Sequence, residues 1–226
     1  MTRHFQQELA ELKQKLLTMA SHAEAALTNA IRSLVDRNDE LARKVIADDS
    51  ILDQLEVEID EMAIALLALQ GPMASDLRLV TIAMKISHDL ERVGDEATTI
   101  ARRSIELAQE PQLKSYVDIP RMANLAMDML NESLDSFMQR SPAKARAVIP
   151  RDKEVDAINK QLYRELVGFM MESSGAITRS LNLMIVSKSI ERIADHATNI
   201  AEEVVYLYEG RDIRHSGKTA ETPPIT

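Results

Sequence analysis

The chain of 226 residues has no cysteine and no tryptophan, and it has only six glycines and seven prolines. The absence of cysteine excludes disulfides, thiolate metal sites and cysteine nucleophiles, and it suits a reducing compartment. The scarcity of glycine and proline favours long, uninterrupted elements. Aromatic residues are only 3% of the chain, so small aliphatic residues and the 12 methionines must fill the core. Helix is therefore the expected secondary structure.

Long apolar runs are also absent. No stretch of 18 uncharged apolar residues occurs, so the sequence predicts no membrane insertion. The N-terminal sequence MTRHFQQELAELKQK lacks the apolar segment of a signal peptide. The net charge of −9 disfavours nucleic acid and anionic lipid as main partners. An acidic cytoplasmic protein is expected.

Apolar residues separated alternately by three and four positions predict six helices. The first three run from 3 to 37, from 38 or 39 to Gly71-Pro72, and from 75 or 76 to Pro111. The last three run from 118 to Ser141-Pro142, from Ser141-Pro142 to about 173, and from 178 to 209. Asn38 or Asp39 is expected to cap the second helix, and Ser141 the fifth. Asp48 occupies a place where the pattern requires an apolar residue. It predicts a break near 47–49, at the position that Pro150 matches further along the chain.

The chain is internally duplicated. Residues 90–101 (LERVGDEATTIA) and 190–201 (IERIADHATNIA) agree at seven of twelve positions, 100 residues apart. Residues 45–53 (VIADDSILD) match 148–156 (VIPRDKEVD) at an offset of 103. Three amphipathic helices joined by short turns bury their apolar faces as a bundle. The sequence therefore predicts an all-α fold of two tandem three-helix bundles, at 2–110 and 118–209. A linker at 111–117 and a disordered tail at 210–226 complete the prediction.

The repeated motif contains a glutamate and an aspartate four positions apart, which lie on one face of a helix. At 100° per residue this face is opposite the apolar seam, so we expect the acids on the outer surface. Their helices are preceded by a second repeated pair of acids. The two sets are Glu91, Asp95, Glu191 and Asp195, and Asp49, Asp53, Asp152 and Asp156.

Carboxylates in this arrangement favour a cation site, because oxygen ligands suit magnesium, calcium, manganese and ferric iron. The alternative is that the acids are solvated or form exposed ion pairs with Arg92 and Arg192, worth ~0–1 kcal/mol each. Both interpretations stay open on spacing alone. His88 and His196 lie beside the motifs, but neither recurs in the other half, so each is assigned at most a helper role.

The motifs ERVGDEATTIA and ERIADHATNIA resemble the paired acidic motifs of the PhoU family, the accessory regulators of bacterial phosphate uptake. The resemblance covers about residues 2–210 and includes the duplication. It implies the same doubled bundle, with iron or another metal such as zinc, manganese or magnesium bound through Glu91, Asp95, Glu191 and Asp195. Asp49, Asp53, Asp152 and Asp156 are the second choice as ligands.

The resemblance also implies a cytoplasmic negative regulator of phosphate uptake and phosphate-starvation signalling. Its expected partners are the ATPase subunit of the phosphate ABC transporter and the phosphate-sensing histidine kinase, and its expected assembly is a homodimer. No glycine-rich phosphate loop and no nucleophile beside a base occur in the sequence, so no catalytic activity is expected. The alternatives are a carboxylate-bridged di-iron bundle enzyme, although the chain has no Glu-x-x-His motif, and a bundle that only self-associates.

Overall fold

The computed structural model describes residues 3–214, and all regular secondary structure within this range is helical. The α-helices are α1 (Arg3–Val35), α2 (Asp39–Gln70), α3 (Ser75–Ala108), α4 (Asp118–Met138), α5 (Pro142–Val148), α6 (Asp152–Glu172) and α7 (Ile177–Glu209). Short 3-10 turns at Ile149–Arg151 and Ser174–Ala176 precede α6 and α7. No helix within 3–214 combines the length and the apolar character that crossing a membrane requires.

Local sequence explains where these helices begin and end. The Asn38 side chain accepts a hydrogen bond of 3.0 Å from the Leu41 N–H and starts α2. Gly71 ends the same helix in the left-handed conformation, at φ 51°, which a residue without a Cβ adopts at little cost. Ser141 accepts from the Lys144 N–H at 3.4 Å and starts α5. The predicted caps at Asn38 and Ser141 are confirmed.

The helices form two packed groups that share one core. Helices α1, α2 and α3 pack against one another, and α4, α5 and α6 pack around α7. Helices α3 and α7 pack along each other and join the two groups. One continuous cluster of buried apolar residues runs through both. The predicted fold class, all-α with two tandem bundles, is confirmed.

The predicted break near 47–49 is wrong for the first half of the chain. Helix α2 continues through these residues, and the Asp48 side chain is exposed to solvent, so it disturbs no packing. The second half is interrupted at Ile149–Arg151, as predicted. The difference lies in Pro150, which has no N–H and crowds the preceding helical turn. The matching Ala47 has neither defect.

Helices α2 and α3 approach each other closely at Gly94. A Cβ at this position would lie 2.3 Å from Leu52 Cδ1 and 3.5 Å from Asp49 Oδ1. The missing side chain therefore lets α2 pack directly on the α3 backbone. This contact brings the acidic residues of the two helices together.

The first residues of the predicted tail follow α7 back along the molecule. Gly210 ends α7 in the left-handed conformation, at φ 67°. Ile213 packs against the core, and Arg214 Nη1 lies 3.0 Å from Glu203 Oε1. Residues 215–226, on which most of the predicted disorder falls, lie outside the described residues.

Candidate metal-binding site

The acids of the first repeat form a cluster between α2 and α3. Asp49 lies within electrostatic reach of both Asp53 and Asp95. Burial, followed by the repulsion from these two carboxylates, raises the pKa of Asp49 above its ordinary value. The proximity of α2 and α3 at Gly94 accounts for this arrangement. Glu91 in turn lies within electrostatic reach of Asp95, so each of the four predicted acids of this repeat has another of them as a neighbour.

Glu91 is more buried than its spacing predicted. Its side chain is only 13% exposed, whereas that of Asp95 is 45% exposed. Burial raises the pKa of Glu91, and the charges of Asp95 and Glu56 raise it further, against the opposing charge of Arg92. The expected outward position is therefore wrong for Glu91, and also for Glu191, whose side chain is likewise 13% exposed. The reason is that α3 contacts α1, α2 and α7, so little of its surface remains free.

Arg92 accompanies the acids of its own motif. Its Nε lies 3.0 Å from Glu91 Oε2, and its Nη1 donates to Asp95 Oδ2 at 2.9 Å. The Nε contact is close, but it lacks hydrogen-bond geometry, and Glu91 Oε2 is a buried oxygen without a hydrogen-bond partner. The guanidinium thus offsets the charge of the motif without satisfying Glu91. The ion pair with Arg92, which the sequence left open as the alternative to a cation site, is present beside the cluster.

The second repeat has a matching cluster between α6 and α7. Burial raises the pKa of Asp152, and the neighbouring charges of Asp156 and Glu191 add to the effect. Asp195 has a pKa of about 6, raised first by partial loss of solvent around its carboxyl and then by Glu191 and Asp152. The side chain of Asp195 nevertheless retains contact with solvent. Asp152 therefore lies within electrostatic reach of the other three predicted acids of this half.

Lysines take part in the second cluster. Lys188 Nζ bonds the Glu191 carboxylate, and Lys160 Nζ lies 3.3 Å from Asp156 Oδ2. Asp152 Oδ1 is buried and has no hydrogen-bond partner. Each cluster thus combines several carboxylates with one buried oxygen that accepts no hydrogen bond.

These residues fit a hard or borderline cation. Carboxylate oxygens are the ligands that such ions prefer, and a multiply charged ion would relieve the repulsion that raises the pKa values. Glu91, Asp95, Asp49 and Asp53 would hold the ion in the first repeat. Asp152, Asp156, Glu191 and Asp195 would hold it in the second. A bound cation would supply the positive charge that Arg92 and Lys188 only partly provide.

Glu56 is a candidate ligand that comparison of the two repeats does not select. It follows Asp49 and Asp53 on the same stripe of α2, but Asn159 replaces it in the other repeat. In the structure Glu56 Oε1 lies 3.0 Å from His88 Nδ1. One ligand atom each from Glu56, His88 and Glu91 lie within 4.8 Å of one another, the one such trio of potential metal ligands in residues 3–214. The continuation of the acidic stripe was the signal that pointed to Glu56.

The other helper residues lie elsewhere. His196 Nδ1 is 2.8 Å from Asp89 Oδ1, and Arg192 Nη1 is 3.1 Å from Glu96 Oε1. Both contacts join α7 to α3. His196 and Arg192 therefore connect the two repeats.

Fold and site together define an all-α protein of two repeats, each with an acidic cluster between its last two long helices. The family model described as the PhoU domain matches residues 16–104 and 119–204. The chain belongs to the PhoU family.

Relatives support this membership over nearly the whole chain. The phosphate-specific transport system accessory protein PhoU homolog of Pseudomonas aeruginosa is 41% identical over 219 residues, covering 96% of this chain and 90% of that protein. The homolog of Aquifex aeolicus is 43% identical over 208 residues, covering 92% and 94%.

Solved structures agree. The crystal structure of PhoU from Pseudomonas aeruginosa matches with a TM-score of 0.89 at 40% identity, covering 92% of this chain and 100% of that one. The phosphate transport system regulatory protein PhoU from Streptococcus pneumoniae matches with a TM-score of 0.87 at 31% identity, covering 92% and 99%.

Proposed function

We propose that this protein is a cytoplasmic negative regulator of phosphate uptake and of phosphate-starvation signalling. It acts as an adaptor on the ATPase subunit of the phosphate ABC transporter and on the phosphate-sensing histidine kinase, and it works as a homodimer. The observation that carries the proposal is the match of both halves to the PhoU domain. Relatives that share nearly the whole length bear the name of phosphate-specific transport accessory proteins.

Exposed apolar side chains at matching places in the two repeats support a role in protein contacts. Leu69 and Met73 lie at the turn between α2 and α3, and they are 78% and 81% exposed. Met171 lies near the corresponding turn between α6 and α7 and is 84% exposed. Single exposed apolar residues are common on protein surfaces, but their recurrence at equivalent turns favours a shared use. These turns are the proposed partner contacts.

Metal ions, iron among them, are the proposed occupants of the two acidic clusters. They would fix α2 against α3 and α6 against α7, because a cation joins carboxylates that otherwise repel. The ions are regulatory or structural in this proposal, and no catalytic step is assigned to them.

The test is repression in cells that lack their own PhoU-family protein and carry a reporter driven by a phosphate-starvation promoter. The chain is expected to repress the reporter in high phosphate, and a pull-down from the same cells should recover the transporter ATPase and the kinase. Replacement of Leu69 and Met171 by serine should weaken the recovery, whereas the matched control Glu61→Ser on exposed α2 surface should not. No repression at equal protein level, with neither partner recovered, would refute the proposal.

A further inference from the structure

The outer face of α7 near the α6–α7 turn is apolar, whereas polar side chains of the same helix lie inside. Leu181 and Ile185 are 49% and 38% exposed, and no other residue from 180 to 190 is exposed. Ser180, Asn182 and Ser187 are buried. A helix at the surface of a soluble protein normally turns its polar residues outward. This part of α7 therefore has the residue distribution of a helix whose outer face another element covers.

Helix α6 continues the apolar surface. Each of the two helices carries three exposed apolar side chains at intervals of four residues, a spacing that places them along one helix face. The two helices form a hairpin about the short turn at Ser174–Ala176, so side chains equally distant from this turn lie at the same level. The two rows are Tyr163, Val167 and Met171 on α6, and Ile177, Leu181 and Ile185 on α7.

A cavity of about 640 Å³ lies between the two helices at the far end of these rows. It is lined by Tyr163 together with Asn159, Lys160 and Arg164 of α6, and by Lys188 of α7. Because both helices line it, the two rows border one groove. Three of the five lining side chains are cationic, although the chain has a net charge of −9.

Arg164 is the cation of this groove whose charge is not offset. Lys188 bonds Glu191, and Lys160 Nζ lies 3.3 Å from Asp156 Oδ2. Arg164 Nε donates to the backbone carbonyl of Lys160 at 3.3 Å, and no carboxylate of residues 3–214 lies within ion-pair distance of its guanidinium. An acidic side chain of a partner would therefore meet a free guanidinium at the edge of the groove.

The equivalent surface of the first repeat has a different character. Acidic and other polar side chains replace both apolar residues and the arginine there, so the duplication does not account for the groove. Lys85 Nζ lies 2.9 Å from Glu203 Oε1, and a contact within the chain thus already uses this surface. The replacements are Asp60 for Tyr163, Glu61 for Arg164, Thr81 for Leu181 and Lys85 for Ile185.

We propose that the groove between α6 and α7 binds an amphipathic helix of a partner protein, with acidic side chains beside its apolar face. This inference deepens the proposed adaptor function and rests on it. Apolar residues at intervals of three and four on the incoming helix match the two rows, whose members are four apart. An acid on its flank pairs with Arg164 and sets its register. The same groove of a second copy carries the same cations and supplies no complementary charge.

The probe is a fluorescein-labelled synthetic helix of about 18 residues, with leucine along one face and glutamate along both flanks. Its binding to the full chain is measured by fluorescence anisotropy in chelator. A companion peptide has lysine in place of every glutamate. The glutamate peptide is expected to bind more tightly by about fivefold or more, because its flank complements Arg164. The net charge of −9 would by itself give the opposite preference.

Substitutions locate the bound peptide. Leu181→Ser combined with Ile185→Ser should weaken binding of the glutamate peptide at least about tenfold, since central apolar contacts carry most of the binding free energy. Both side chains are exposed, so the variant should keep its fold, which thermal unfolding verifies. Arg164→Glu should reverse the preference in favour of the lysine peptide. Ile64→Ser combined with Leu77→Ser, at exposed apolar residues of the first repeat, is the matched control and should leave binding unchanged.

Tighter binding of the lysine peptide to the wild type, or unchanged affinity in the double-serine variant of α7, would overturn the inference. A concentration-dependent dimer in sedimentation that this variant loses would also overturn it, because the occupant would then be a second copy. The reporter assay separates the two proposals. Glutamate-peptide binding that requires Leu181 and Ile185, in a chain that does not repress the reporter, supports the groove and refutes the adaptor function. Full repression by the double-serine variant refutes the groove alone.

Discussion

Asp89 of α3 accepts a hydrogen bond from His196 of α7, with 2.8 Å between Oδ1 and Nδ1. Asn199 donates to the same oxygen at 3.3 Å. Asp89 is only 8% exposed, so this carboxylate is a buried polar link between the two repeats. A buried polar group that loses its hydrogen-bond partner lowers the free energy of unfolding. Removing this carboxylate therefore tests how much the link stabilises the contact between the repeats.

Asp89→Ala is expected to destabilise the protein by about 1–3 kcal/mol, because the donors of His196 and Asn199 lose their shared acceptor. The measurement is equilibrium unfolding in urea with chelator present. Glu61→Ala, which removes an exposed acid of α2, is the control and should change the unfolding free energy by less than about 0.5 kcal/mol. A loss for Asp89→Ala no larger than the control would contradict the prediction.

Gly94 and Leu52 are expected to be energetically coupled. In Gly94→Ala the new methyl group would meet Leu52 Cδ1 at 2.3 Å, and Leu52 must rotate within a packed core. The second repeat has Ala194 and Val155 at these positions. Leu52→Val combined with Gly94→Ala should therefore recover stability, with a coupling of about 1 kcal/mol or more.

The four proteins of this double-mutant cycle are compared by urea unfolding. Alanine has a higher helix propensity than glycine, and Gly94→Ala gains this stability whether residue 52 is leucine or valine. The gain therefore cancels from the coupling energy that the cycle measures. Additive effects of the two substitutions would show that the helices have room for a methyl group.

Asp195 is expected to destabilise the metal-free protein at neutral pH. Its folded pKa of about 6 exceeds the ordinary value of 3.8, so the folded state binds more protons between these values. The contribution of Asp195 to stability should fall as pH rises from about 3.8 to 6. Asp195→Asn should stabilise the protein above pH 6 by about 1 kcal/mol, a value reduced because solvent screens the carboxyl.

The difference between wild type and Asp195→Asn should vanish below about pH 4, where aspartate is protonated in both states. Melting temperatures in chelator from pH 4 to 8 provide the measurement. Glu154→Gln, at an exposed acid of α6, serves as the control. A constant difference across this range would mean that the carboxyl does not titrate as expected.

The acidic motifs are expected to retain metal during purification without chelator or affinity metal. Elemental analysis should find bound ions in the wild type and few in a variant with amides in place of Glu91, Asp95, Glu191 and Asp195. The amides keep the shape of the side chains and remove the charge that binds the ion. Equal metal content in both proteins would exclude these motifs as the binding groups, and lost metal with unchanged repression would favour a structural role.

Ferrous iron provides a further check on the alternative enzyme. Carboxylate-bridged iron centres of the ferritin type use Glu-x-x-His pairs that face the bundle interior. The chain is expected to show no oxidase activity when ferrous iron is added, as measured by oxygen consumption. Iron-dependent consumption that the four-amide variant loses would favour the enzyme.

Short-range chemistry accounts for what could be predicted. The three-and-four spacing of apolar residues predicted the helices, and the Asn38 and Ser141 caps depend on neighbours within one turn. The duplication predicted two equivalent bundles, because similar patterns of apolar residues pack in similar ways. It also grouped the eight acids by repeat, as the electrostatic contacts within each half bear out.

The tertiary structure decided which surfaces of a helix are covered. Periodicity describes one apolar seam, whereas α3 contacts three helices, and this is why the Glu91 side chain is largely covered rather than outward. The approach of α2 at Gly94 places Glu56 beside His88, a contact between residues 32 positions apart that no local pattern contains. The sequence by itself determined the helices and the repeated acids, since these depend on spacing along the chain. Only the packing of the helices decided which side chains these acids contact, because such contacts depend on distances between helices.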